Sequence, residues 1–421
     1  MNEKLRSYFM NEQFKSYYPL IGWFFLTSFF FLHYFIRVSP NFINFALIQQ
    51  YGISLKHIGW LSTAYFLTYT LAQIPIGYLL QRYSILHLTG IASILCGVSV
   101  LAIINSQSYY HVLIGYMCYA FFGAFALLGA ISYVSLHITH KKAMLIGLTQ
   151  AAGMAGGCMA SYLISHELEF YPWQIVLEQF IWPMIFVGFI VLMMPQAKFS
   201  ELSHSESATD RKKDLRSHIK IYQSSYTWVN ALYAASIYSP FMLLTQSGIG
   251  KSMIQSIHGH SSLESGTALS MIFIGWMIGG PLFGYLSDRF APVKMMKFAA
   301  FSSAILLLII LKAPLGLNHL MLVLFCFGLC NPGLISAYAY AATLHGREYA
   351  SILVALTNMS AVLLGAVLSG ILPNILEHMA HPDFIAGVPY YTAAAYQKVI
   401  GLPIMFSICC AYMSAYYLDR T

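Results

Sequence analysis

The feature that most constrains this chain is a succession of apolar blocks, each about as long as a helix must be to cross a hydrocarbon layer of ~30 Å. Twelve of them fall near residues 20–48, 57–80, 86–104, 109–135, 143–164, 173–194, 227–248, 265–287, 293–312, 319–344, 350–373 and 397–418. Inside lipid, backbone N–H and C=O groups must be bonded within their own segment, and runs this long suit helices rather than barrel strands. With 58% of its residues hydrophobic and 9% charged, the chain reads as an all-α membrane protein of twelve transmembrane helices.

Orientation follows from Lys and Arg, which are retained on the cytoplasmic side. If the N-terminus is inside, seventeen basic residues lie in inside segments and four outside, with Arg37 alone in the interior of a span. Both termini are therefore expected in the cytoplasm, and a bacterial inner membrane is the expected location. The net charge of +7 is a topology signal, so no nucleic-acid partner is inferred. All seven cysteines lie in spans, where no disulfide framework is expected. The first apolar block is too long for a signal-peptide core and reads as a retained helix.

One connection is long, polar and of mixed charge: residues 196–225, read as a cytoplasmic linker. It divides the chain into a six-helix bundle over 1–195 and another over 226–421. Across it the sequence repeats. GYLLQRY at Gly77 returns as GYLSDRF at Gly284, four identities in seven at an offset of 207, and Gln150 faces Asn358 at an offset of 208. Both halves begin on the same side, so the repeat is parallel, about an axis along the membrane normal.

GYLSDRFAPVK, Gly284 to Lys294, resembles the loop signature of the major facilitator superfamily, and GYLLQRY is its degraded partner between spans 2 and 3. The resemblance implies two six-helix bundles that rock about a central cavity. It implies a gating role for Gly77, Gln81, Arg82, Gly284, Asp288, Arg289 and Lys294. Asp288 would latch onto the N-terminus of span 5 near Lys141 and Lys142, closing the cytoplasmic side in one state only. Gln81 carries no charge, so the first-half latch is expected to be weaker.

The stretch YFIRVSPNF sets Arg37 about 4.5 Å past the middle of span 1 at the usual helical rise. Arg does not neutralise by losing its proton. A charge at that depth costs at least ~2.5 kcal/mol and should face a cavity or a partner. Glu178 is the one acidic residue well within a span, and the superfamily layout makes its span peripheral. Arg37 is thus expected to await an anion. YFIRVSPNF also resembles the first helix of the organic-anion (anion:cation symporter) branch, where an arginine in a Tyr-x-x-Arg setting grips the substrate. Span 7 has no Lys or Arg, and a single guanidinium suits a carboxylate better than a doubly charged phosphate. Small carboxylates or amino acids are the expected cargo.

Substrate contacts are expected from Arg37, Tyr34, Gln150, Asn230, Tyr233 and Asn358, although helix-to-helix bonding explains any of the polar ones as well. His33, on the same helix face as Arg37, is the expected proton carrier; simple hydrogen bonding is the alternative. No Walker sequence, nucleophile elbow or metal-ligand spacing occurs, so no cofactor, metal or enzymatic activity is expected. The reading is a monomeric secondary transporter of a small solute, coupled to protons in uptake. A proton-driven exporter of lipophilic compounds and a transporter-shaped receptor are the alternatives.

Overall fold

The computed structural model describes residues 12–138, 142–195, 222–341, 343–344, 350–379, 383–385 and 388–420. The first half holds α1 (Glu12–Val38), α2 (Pro40–Tyr51), α3 (Leu55–Arg82), α4 (Ile85–Ile104), α5 (Tyr109–His137), α6 (Lys142–Glu167), α7 (Trp173–Glu178) and α8 (Ile181–Met193). The second half holds α9 (Ser225–Thr245), α10 (Gly250–His258), α11 (Ser262–Phe290), α12 (Pro292–Lys312), α13 (Leu317–Cys330), α14 (Gly333–Ala341), α15 (Ala350–Met379), α16 (Ala393–Tyr396) and α17 (Leu402–Arg420). Each of the twelve apolar blocks is helical. By length and composition, nine of the described stretches could cross a membrane unaided; α3, α6 and α9 fall short because polar residues are spread along them.

Departures from continuous helix have local causes. Span 1 breaks at Ser39 because Pro40 has no N–H to continue the ladder and instead starts α2 at its first position. The Ser39 hydroxyl bonds the Ile36 carbonyl at 2.8 Å and meets the Tyr116 hydroxyl at 2.7 Å, which satisfies the broken turn. Span 7 ends its α9 section at Thr245 and resumes as α10, turning through Gly248 at φ +83°. A short antiparallel hairpin, β1 (Asp383–Ile385) with β2 (Val388–Tyr390), precedes span 12; hydropathy alone gave no sign of it. The expected linker lies almost wholly outside the described residues.

The repeat seen in the sequence is also a repeat of packing. In the first half α1 packs on α6, α3 on α5, and α4 on α8; in the second, α9 packs on α15, α11 on α13, and α12 on α17. Between halves α3 packs on α15 and α6 on α11. One end of the molecule carries the ends of the linker, here called the linker side; the other is the far side.

Hydrogen bonds tie the halves together on the far side. Asn41 Nδ2 donates to the Leu244 carbonyl (3.1 Å), and Asn44 Nδ2 to the Gly248 carbonyl (2.6 Å) and Ser252 Oγ (2.9 Å). Ser62 Oγ donates to the Ser247 carbonyl (2.8 Å), and Thr63 Oγ1 to the Ala366 carbonyl (2.6 Å). A helix end leaves backbone carbonyls without partners, which is costly away from water. Asn41, Ser62 and Asn44 supply donors across the boundary to the carbonyls freed by the break in span 7.

Candidate functional site

Arg37 sits in the last turn of α1 and is 5% exposed. Its guanidinium carbon lies 5.0 Å from the ring centre of Tyr34, 5.2 Å from Phe66 and 5.0 Å from Tyr69. A cation over an aromatic face gains about 0.5–2 kcal/mol, more when desolvated, so three rings offset part of the cost of burying the charge. Its Nε donates to Gln246 Oε1 at 3.1 Å. Among the described residues it joins no ion pair. Glu178, the acidic residue singled out in the sequence, is exposed at the end of α7.

A cavity of about 50 Å³ opens beside this guanidinium, between the halves. Tyr34 and Arg37 from α1, Tyr69 from α3, Gln150 from α6, Tyr238 from α9 and Trp276 from α11 line it, with Tyr338 and Asn358 opposite. That volume holds one or two waters, or a group the size of a carboxylate, but no complete metabolite. In this state the site is closed down around the charge.

The residues expected to bind cargo divide into two groups. Arg37, Tyr34, Gln150 and Asn358 meet at the cavity. The repeat partners Gln150 and Asn358 both line it, and Asn358 is held by the Tyr338 hydroxyl (2.8 Å) while donating to Gln73 Oε1 (3.3 Å). Asn230 and Tyr233 lie instead inside the second half. Asn230 Nδ2 donates to Thr357 Oγ1 (3.1 Å) and the Ala337 carbonyl (3.3 Å), and the Tyr233 hydroxyl donates to the Met296 carbonyl (2.9 Å).

His33 is fully buried on the side of α1 that faces α3 and α5. Its ring stacks on Tyr119 at 5.1 Å and on Tyr69 at 6.2 Å, and Nε2 lies 3.1 Å from the Tyr65 hydroxyl. Nδ1 has no hydrogen-bond partner among the described residues. Tyr69 therefore stands between His33 and Arg37, touching the cavity on one side and the imidazole on the other.

The loop-signature residues are only partly visible. Neither Gly77 nor Gly284 is at a close approach: a Cβ would meet nothing within 4 Å at Gly77 and only Ile335 Cγ2, at 3.8 Å, at Gly284. Arg289 and Lys294 are exposed, with the Arg289 guanidinium 5.8 Å from the Phe290 ring. The side chains of Gln81, Arg82 and Asp288, and Lys141, between which the latch was expected, lie outside the described residues.

Sequence reasoning missed Tyr238, Gln246, Trp276 and Tyr338. A signal for two of them was present in the repeat: an offset of 208 carries Phe30, another lining residue, onto Tyr238, and carries Arg37 to within one residue of Gln246.

The family model of the Major Facilitator Superfamily matches residues 23–370. The putative transporter AraJ of Escherichia coli (strain K12) is 23% identical over 299 residues, 71% of this chain and 70% of its own. A bacterial homolog of the human lysosomal transporter Spinster, in an inward-facing and unoccupied conformation, superposes with a TM-score of 0.74 at 15% identity over 95% of this chain and 96% of its own. The nucleoside transporter NupG does so with 0.72 at 12% identity, over 94% and 98% respectively. At such identities the structural likeness speaks for the fold alone.

Proposed function

This chain belongs to the major facilitator superfamily, and from that premise we propose that it is a secondary transporter whose cargo is a small carboxylate-bearing metabolite, an organic anion or amino acid. The observation that carries this reading is Arg37: a permanent cation in the cavity between the halves, with no carboxylate partner among the described residues. Cargo would bring the missing charge, and Gln150, Asn358 and Tyr338 would bond its remaining polar groups. Tyr34, Tyr69, Tyr238 and Trp276 would enclose its apolar part.

In this proposal the bundles 1–195 and 226–421 rock about the cavity, with both termini cytoplasmic in a bacterial inner membrane and the chain acting as a monomer. The bonded far side would be the outer gate, closed in the present state. The Asp288 signature would close the linker side in the opposite state. His33 would carry the coupling proton during uptake, exchanging it with the cavity past Tyr69.

A second reading, export of lipophilic compounds, draws support from the aromatic lining of the cavity. It leaves Arg37 without a task. Equilibrium binding separates the two, because a ligand held only by the folded state raises its melting temperature. Carboxylates should shift the wild-type protein and leave Arg37→Ala unmoved while that variant still inserts normally. A wild-type shift in Arg37→Ala would return Arg37 to a structural role. Counterflow in proteoliposomes then tells transport from mere reception, since a receptor accumulates no label.

A further inference from the structure

Gln246 caps α9 and is fully buried, with its carboxamide Oε1 on Arg37 Nε and its Nε2 without a partner among the described residues. The contact joins the two halves at the level where both span 1 and span 7 break, between Ser39 and Gly248. Beyond it follow the bonds from Asn41, Ser62 and Asn44 to the carbonyls of Leu244, Ser247 and Gly248. Arg37–Gln246 is thus the rung of the far-side closure that reaches into the cavity.

An amide oxygen and a carboxylate oxygen present the same lone pairs to a guanidinium, but a hydrogen bond to an ionised acceptor is roughly twice as strong. We propose that Gln246 is a resident stand-in for the cargo's carboxylate. The two compete for Arg37: cargo on the guanidinium keeps off the innermost rung of the far-side closure, and in uptake the arrival of Gln246 Oε1 as the far side closes frees the carboxylate toward the linker side. This rests on the reading of Arg37 as the anion site and adds to it a link between occupancy and gate. A ligand shifts a conformational equilibrium only by binding one state better than the other, and competition with an inter-half bond supplies that difference. Linkage makes the effect reciprocal: whatever tightens Gln246 on Arg37 weakens cargo binding.

The test uses the full chain with its native cysteines replaced and one cysteine introduced by Ala366→Cys, opposite Thr63 in the far-side seam. Labelling by a membrane-impermeant maleimide is compared for Gln246, Gln246→Glu and Gln246→Ala, with Gln246→Met as a substitute should the alanine variant fail to fold. Gln246→Ala should label several-fold faster and Gln246→Glu, which pairs a fixed carboxylate with Arg37, more slowly than the parent. Thermal shifts with acetate, lactate and benzoate are read in parallel and should vanish in Gln246→Glu. Equal labelling in all three proteins overturns the gate link even if carboxylates bind. A carboxylate shift retained in Gln246→Glu overturns the stand-in. Labelling that responds as expected in a protein no carboxylate shifts defeats the anion reading, and the stand-in with it, leaving only a structural latch.

Discussion

Gly59 of α3 and Gly266 of α11, 207 residues apart, occupy matching places in the seam between the halves. Gly59 lies against the Ser369 carbonyl and Pro373 of α15, and Gly266 against the Ser165 side chain and the Ser161 carbonyl of α6. Neither site has room for a Cβ while the far side is closed. The duplication has therefore kept one device twice: a missing side chain where a helix of the other half comes close.

Replacing either glycine by valine should disfavour closure without disturbing its own half. We expect Gly59→Val and Gly266→Val to raise far-side labelling of seam cysteines and to slow transport, with near-normal insertion and thermal stability. Labelling equal to wild type in both variants would mean the seam tolerates the extra bulk by sliding.

Asn44 makes two bonds across the seam, to the Gly248 carbonyl and to Ser252 Oγ. A buried polar group left without a partner costs about 1–3 kcal/mol. Asn44→Ala should therefore shift the equilibrium toward far-side opening by roughly tenfold. Distance measurements between spin labels on α2 and α10 read this directly, and an unchanged distance distribution would contradict it.

Tyr233 looked like a cargo ligand in the sequence, but its hydroxyl serves the Met296 carbonyl within the second half. Tyr233→Phe should lower the melting temperature by removing a buried hydrogen bond, about 0.5–1.5 kcal/mol of stability, while leaving carboxylate affinity near wild type. A selective loss of affinity would place Tyr233 at the site in another state of the cycle.

Much of this was legible beforehand, and the limits have a physical pattern. Arg37 declared itself because a permanent charge deep in an apolar span must be accommodated by the tertiary fold. Gln150 and Asn358 were found through the repeat and share the cavity. Asn230, by contrast, is as polar as either and bonds Thr357 inside its own half. His33 precedes Arg37 by one turn on the same helix face and both meet Tyr69, but the imidazole is enclosed by Tyr65 and Tyr119 while the guanidinium reaches the cavity.

Composition and spacing by themselves determined the twelve spans, their division into two related halves and the depth of Arg37 within its span, since hydrophobic length and charge placement in a bilayer are properties of the chain taken segment by segment. The tertiary structure alone decided which face of each helix turns toward the axis, which carbonyls of a broken helix are bonded from the other half, and that Gln246 meets Arg37. Those depend on how each helix is rotated against its neighbours. That rotation is set by packing among many side chains at once, and no single segment encodes it.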